Sequence, residues 1–221
     1  MNQPPIVKLS GVSKGFDSAS GHNLVLSEVN LTLQPGQKAS IVGTSGSGKS
    51  TLLSLITGLL KPDSGTVYFE GVNMRALNDN QQSELRSKSI GIALQSENLI
   101  PFLSAVENVK LALSFGGQRD TSGQAIKLLK RMKVAHLATY KPRQVSGGEA
   151  QRISLAVAIA NNPRLLIADE MVAQLDVKTA NAMVDDIFAS DMAVLFVTLS
   201  PVLEKRGELI FQVKNQKVSL V

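Results

Sequence analysis

Gly43 to Ser50 reads GTSGSGKS, between an apolar run that ends at Val42 and another that begins just after the loop. The stretch fits the pattern G-x-x-x-x-G-K-[ST], whose glycines let the backbone turn its N–H groups onto phosphate oxygens. Lys49 and Ser50 close the pattern as the groups that reach phosphate and Mg²⁺. Lys38 to Val42 has strand character, and Lys49 to Leu59 is helix-forming and largely apolar. Strand, loop and helix in that order aim the positive, unpaired N-terminus of the helix at an anion. Gly43, Thr44, Ser45, Gly46, Ser47, Gly48, Lys49, Ser50 and Thr51 are therefore the candidate phosphate-binding residues.

Outward from the loop, further strands are expected at Ile6 to Leu9 and Leu24 to Leu33 on its N-terminal side. On the C-terminal side come a KPDSG turn (Lys61 to Gly65), a strand at Thr66 to Phe69, a polar helix near Asp79 to Lys88 and a strand at Ile90 to Leu94. Helical periodicity then dominates Ser104 to Leu113, Ser122 to Met132 and Gly148 to Ala160, which predicts an inserted helical subdomain. LLIA at Leu165 to Ala168 resumes the sheet. A helix at Asp176 to Ala189 and a buried strand at Ala193 to Thr198 follow, then a helix capped by Ser200 with Pro201 in its first turn, and strands at Leu209 to Val213 and Val218 to Val221. No internal repeat, low-complexity tract or flexible linker interrupts this order.

The run RLLIADE ends in Asp169 and Glu170. A carboxylate directly after a buried strand lies at the C-terminal edge of a sheet, where it holds Mg²⁺ directly or through water. Glu170 can orient and deprotonate an attacking water; an ordinary exposed glutamate is the competing reading.

The chain has 221 residues, 43% of them hydrophobic and only 4% aromatic, which suits one α/β domain with an aliphatic core. There are 23 Lys plus Arg against 18 Asp plus Glu, a mild excess that does not select among anionic partners. With no cysteine, disulfides and thiolate metal sites are excluded. MNQPPIVKLS lacks the features of a signal peptide, and the longest apolar stretch, near Leu52 to Leu60, is too short to span lipid.

VSGGE at Val145 to Glu149, followed by AQR, resembles the LSGGQ signature of ATP-binding cassette (ABC) ATPases. The order of glycine loop, Gln95, signature and acidic pair extends the resemblance over nearly the whole chain. It implies an α/β fold: a P-loop NTPase (RecA-like) core at 1–95 and 162–221, with an N-terminal antiparallel β region and a helical subdomain at 96–161. It further implies that ATP with Mg²⁺ binds between two cassettes, in a homodimer or a heterodimer. Ser146, Gly147 and Gly148, in the motif completed by Glu149, would clamp the γ-phosphate held by the other cassette. Glu170 and Lys49 take catalytic roles in this reading, Gln95 contacts Mg²⁺ and water, and Ser50 and Asp169 are metal ligands. Phe16 occupies the place of the ring that stacks on adenine. SKSIGIALQSENLIPFLSAVENVKLAL and VYFEGVNM look most like the lipoprotein-release, macrolide-export and cell-division branch. That likeness implies an integral-membrane permease docked near Gln95 to Val109, including Leu99, Ile100 and Phe102, with the cassette on the cytoplasmic face of the membrane.

Two departures stand out. The family usually carries a histidine after the strand at Ala193 to Thr198, where this chain has Leu199. Losing one such donor from a prepared site costs on the order of a hundredfold or more in turnover, so slow hydrolysis is expected. His22 and His136, the only histidines, belong to distant segments, and Thr198 and Ser200 point away from the Leu199 side if strand alternation persists. After Glu170, MVAQLD stands where the family commonly has Pro-Thr and a small-residue turn ending in Leu-Asp. Since that loop crosses to the partner's site in the family, the resemblance implies that Met171, Val172 and Gln174 alter communication between the two sites. A regulatory cassette that binds ATP with little turnover is the alternative. A DNA-associated cassette is disfavoured because there is no long heptad insertion and no cysteine zinc module, and no nucleic acid is expected.

Overall fold

The structure, a computed structural model, describes residues 3–18, 21–93, 99–120, 122–170, 172, 174–198 and 201–221, and of Ser18, Pro201 and Val202 the backbone alone. In chain order its elements are β1 (Val7–Ser18), β2 (Gly21–Leu33), β3 (Lys38–Val42), α1 (Lys49–Ile56), β4 (Ser64–Phe69), β5 (Val72–Asn73), α2 (Asp79–Ser89) and β6 (Ile90–Ala93). They continue with α3 (Ala105–Phe115), α4 (Gln124–Arg131), α5 (Gly147–Ala158), β7 (Leu165–Asp169), α6 (Val177–Phe188), β8 (Ala193–Val197), α7 (Pro201–Glu204), β9 (Leu209–Lys214) and β10 (Lys217–Leu220). The chain divides into two compact units, Met1–Ser83 with Ala193–Val221, and Glu84–Met192.

The first unit holds an antiparallel sheet in the order β2-β1-β4-β5 and a mixed run in the order β10-β9-β3-β8. β3 pairs in parallel with both β8 and β9, and β10 returns antiparallel to β9. Ala39 and Ile41 of β3 and all five residues of β8 are buried, as strands covered on both faces should be. The tight turns between β4 and β5 and between β9 and β10 place Glu70 with Gly71, and Asn215 with Gln216, at positive φ, the geometry that matches strand twist. β1 runs nine residues beyond the expected Leu9. Register shifts between Leu9 and Val12, Val12 and Lys14, and Lys14 and Gly15 break the two-residue alternation there, and the bulged strand loses its periodic signal. Gly65, expected in a turn, lies inside β4 at φ 78, and a Cβ on it would collide with the backbone of Gly11.

In the second unit β6 and β7 pair in parallel, Ile90 opposite Leu165 through Ala93 opposite Ala168. Every regular element described between them is helical, in line with the helical insertion read from periodicity. α5 packs on β6 so closely that a Cβ on Gly91 would strike the Ala158 carbonyl. α3 opens with a capping box in which Ser104 and Glu107 satisfy each other's backbone amides. Buried Asn108 donates to the carbonyls of Ile100, Leu103 and Ser104 and accepts the Ile100 amide at 2.7 Å, which fixes the segment before the helix.

Candidate functional site

The chain leaves the sheet at Val42 and turns through Gly43 (φ 153), Gly46 (φ 74) and Gly48 (φ 105), backbone values that L side chains resist. Two of these glycines are also crowded: a Cβ on Gly43 would lie 2.5 Å from the Val213 carbonyl, and one on Gly48 3.0 Å from Val25 Cγ1. Lys49 Nζ donates to the carbonyls of Gly43 and Thr44, each at 2.8 Å, so the loop wraps its own ammonium. Thr44, Ser45 and Gly46 form an exposed crest, and Ser50 is exposed on the first turn of α1 beside half-buried Thr51. α1 begins with no side-chain cap and no acid in its first turn, and the Ser47 hydroxyl is buried without a partner. An orphaned hydroxyl and an uncapped helix start beside a glycine-turned loop fit a polyphosphate. The loop also borders a cleft of about 750 Å³, whose lining includes Asn23, Val25, Ser45, Gln212 and Asn215.

In the same unit Phe16 lies on β1 opposite Asn23 and is 41% exposed. Lys14 Nζ stands 5.4 Å from the centre of its ring and is itself held by Asp63 at 2.6 Å. Asp63 also accepts the Gly15 amide, and the Lys14 bond foremost keeps its carboxyl below the usual range. An aromatic ring with an ammonium over it and much of its surface open to solvent is a platform for a flat base. His22 bonds Asp17 within the β1–β2 hairpin.

The remaining described candidates belong to the second unit. Leu165 to Ala168 are fully buried, Asp169 at the end of β7 is half-buried, and Glu170 follows at φ 50, in the left-handed region. Ser146 caps α5: its hydroxyl and amide both donate to Glu149 Oε2 at 2.8 Å. The Ser146 amide, and then its hydroxyl, holds the Glu149 carboxyl below its ordinary range. Glu149 thus fastens the turn, while Ser146 and Gly147 face solvent. A Cβ on Gly147 would collide with the Gln174 side chain, which lies over it. Gln95, Met171 and Leu199 lie outside the described residues. Phe102 is 71% exposed, and Leu99 and Ile100 are half-buried.

Gln151, in the AQR that follows the signature, had no role in the sequence reading. Its side chain is buried on α5, donates from Nε2 to the Glu170 carbonyl at 2.7 Å and accepts the Gln174 amide at 3.3 Å. The available signal was a long polar residue in a helix whose other buried residues are mostly apolar or small, Ile153, Ser154, Leu155 and Ala156.

Residues 26–173 match the family model described as ABC transporter. The chain is 38% identical over 199 residues to the lipoprotein-releasing system ATP-binding protein LolD of Shewanella denitrificans, a match spanning 88% of this chain and 85% of that one. It is 36% identical over 223 residues to the uncharacterized ABC transporter ATP-binding protein MJ0796 of Methanocaldococcus jannaschii, covering 96% of this chain and 95% of that one. The solved dimeric structure of the MJ0796 cassette in a post-hydrolysis state, bound to ADP and Pi, superposes with a TM-score of 0.90 over 96% of each chain. The chain belongs to the ABC transporter family, as one of its ATP-binding cassette ATPases.

Proposed function

We propose that this chain is the ATP-binding and ATP-hydrolysing subunit of a membrane transport complex, pairing with a second cassette and driving a separate permease from the cytoplasmic face. The observation that carries the reading is the glycine loop wrapped on Lys49, with the Ser47 hydroxyl unsatisfied and the start of α1 uncapped. Similarity to a cassette solved as a dimer with ADP and Pi supports both the nucleotide and the second cassette. The LolD relatives, named for a lipoprotein-releasing system, support a membrane assembly. Among the described residues no helix is long and apolar enough to cross a membrane.

In this reading residues 1–95 and 162–221 form the nucleotide-binding core and 96–161 the helical subdomain. Gly43 to Thr51 bind the phosphates of ATP, and Phe16 stacks on adenine. Ser50, Asp169 and Gln95 hold Mg²⁺, whose charge offsets that developing on the phosphoryl oxygens. Glu170 takes a proton from the attacking water as the bond to the γ-phosphoryl group forms and ADP leaves. Ser146, Gly147 and Gly148, fastened by Glu149, cover the γ-phosphate held by the partner cassette. The exposed Phe102, on a segment fixed by Asn108, supplies the contact with the permease.

Glu170→Gln tests the enzymatic half: Mg²⁺-dependent ATP binding persists and hydrolysis stops, whereas unchanged hydrolysis defeats it. Phe102→Glu tests the docking half through loss of the copurifying membrane protein with ATP binding retained. One feature favours a second reading, a regulatory cassette with little turnover: Leu199 stands where the family's histidine is expected. Hydrolysis by the native complex that depends on Glu170 excludes it.

A further inference from the structure

Glu170 is a non-glycine residue held at φ 50. Side chains reach that region only where the surroundings over-determine it. Its carbonyl accepts Gln151 Nε2 at 2.7 Å, and the same carboxamide accepts the Gln174 amide through Oε1 at 3.3 Å. One buried side chain thus clamps the peptide leaving Glu170 to the turn that follows. That turn is closed by the Leu175 amide on the Val172 carbonyl at 3.1 Å and ends in Asp176, the cap of α6. Gln151 projects from α5, whose first turn is the Ser146 capping box, and a Cβ on Gly148 would stand 2.8 Å from the Gln174 carbonyl. Any shift of the serine-glycine turn therefore meets the clamp through α5 and through Gln174.

We propose that Gln151 is a positioning residue for hydrolysis: its carboxamide holds the backbone of Glu170 in the conformation that aims the carboxylate, and ties it to the signature helix. This rests on the reading of Glu170 as the base. Gln151 bonds the backbone of Glu170 and Gln174, and in this role it acts by keeping Glu170 from relaxing. A misplacement of about 1 Å at a reacting group lowers turnover on the order of a hundredfold. ATP affinity, supplied by the Lys49 loop, is untouched.

The test compares Gln151→Met, which removes both bonds at nearly equal volume, and Gln151→Glu, which keeps the acceptor for Gln174 and loses the donor to Glu170. Both are made in the full chain, purified with its copurifying partners. Expected are a fall in kcat of about tenfold to a hundredfold in each variant, an ATP dissociation constant within about twofold of the parent, and no further loss when Gln151→Met is added to Glu170→Gln. An unchanged kcat in both variants, beside an inactive Glu170→Gln, overturns this role alone. A parallel loss of affinity, kcat and thermal stability in both variants reduces Gln151 to a packing residue and overturns it too. Undiminished hydrolysis by Glu170→Gln overturns the assignment of the base, and this role with it.

Discussion

Gly148 lies against the backbone of Gln174: a Cβ built on that glycine would stand 2.8 Å from the Gln174 carbonyl and 3.0 Å from Leu175 Cδ2. Its neighbour Gly147 faces only the mobile end of the Gln174 side chain. The two signature glycines are therefore required for different reasons. At position 148 the obstacle is main chain, which cannot swing aside; at position 147 a rotamer change clears it.

Gly148→Ala is expected to destabilise the chain by about 1–3 kcal/mol, as overpacking does. Gly147→Ala should stay within ~0.5 kcal/mol of the parent, as surface substitutions usually do, yet still lower hydrolysis, because the added methyl group intrudes on an exposed turn assigned to the partner's phosphate. Urea unfolding together with steady-state turnover separates the two. Equal stabilities would mean that the backbone contact at Gly148 is relaxed at no cost.

Gly43 meets the same kind of obstacle inside the phosphate loop. At φ 153 it approaches the Val213 carbonyl to a notional 2.5 Å and Ser47 Oγ to 2.7 Å. Gly43→Ala must push the loop off β9, which moves the carbonyl that holds Lys49 Nζ. ATP affinity should fall at least about tenfold, which is ~1.4 kcal/mol. Gly46, with open space around its notional Cβ, still needs φ 74 and should show a smaller loss on the same change. Isothermal titration of both variants checks the order.

β3 was legible to the residue, because KASIV is a short strand-forming run pinned between a turn and the glycine loop. β8 was legible within one residue for the same reason. β1 was readable only as far as Leu9, since its bulges destroy alternation, and the two-residue β5 is too short to carry any period. Within the candidate site, the residues proposed to bind by motif could be named from spacing. The Gln151 clamp could not, because it joins α5 to the turn after Glu170 across nineteen residues of chain and its partners are backbone groups. Motifs encode the chemistry that touches the ligand; the bonds that aim such groups depend on tertiary contact.

Acid should loosen the helix starts. Glu107 is held below the ordinary glutamate range by the Ser104 hydroxyl and then its amide, Glu149 by the Ser146 amide and then its hydroxyl, and Asp176 by its bonds to Thr179. A depressed carboxyl binds its proton more readily in the unfolded chain, so its stabilisation is full above the unfolded pKa and is lost as pH falls through the folded one. Stability should therefore decline from about pH 5 downward. Glu107→Gln and Glu149→Gln should each flatten that decline. Thermal melts between neutral pH and the acid limb measure it, and slopes identical to the parent would rule the boxes out as its source.

Phe16 should contribute to base affinity and not to phosphate affinity. It is 41% exposed, and Lys14 is drawn toward its ring while bonded to Asp63. Removing one stacking ring costs about 1–3 kcal/mol per base. Phe16→Ala should thus weaken ATP by roughly tenfold and leave inorganic triphosphate binding unchanged, while Phe16→Tyr retains ATP affinity. Equal weakening of both ligands would make the ring a packing residue of the hairpin.

Leu199 is the position at which a single change should raise activity. It follows β8 by two residues, where the family usually supplies a histidine, and leucine brings neither a donor nor a charge to a γ-phosphate. Of the two histidines, His22 is bonded to Asp17 in the first hairpin, and His136 lies in the turn Ala135–Leu137 near Glu149. One prepared donor at the transition state is worth on the order of a hundredfold. Leu199→His, measured in the complex with its copurifying partners, should therefore raise kcat by about tenfold or more and leave ATP affinity nearly unchanged, since the donor acts on charge that develops during attack. A parent enzyme that is already fast and gains nothing would show that hydrolysis here does not depend on a donor at position 199, and would shift the assignment of the missing hydrogen bond to another group facing the phosphate.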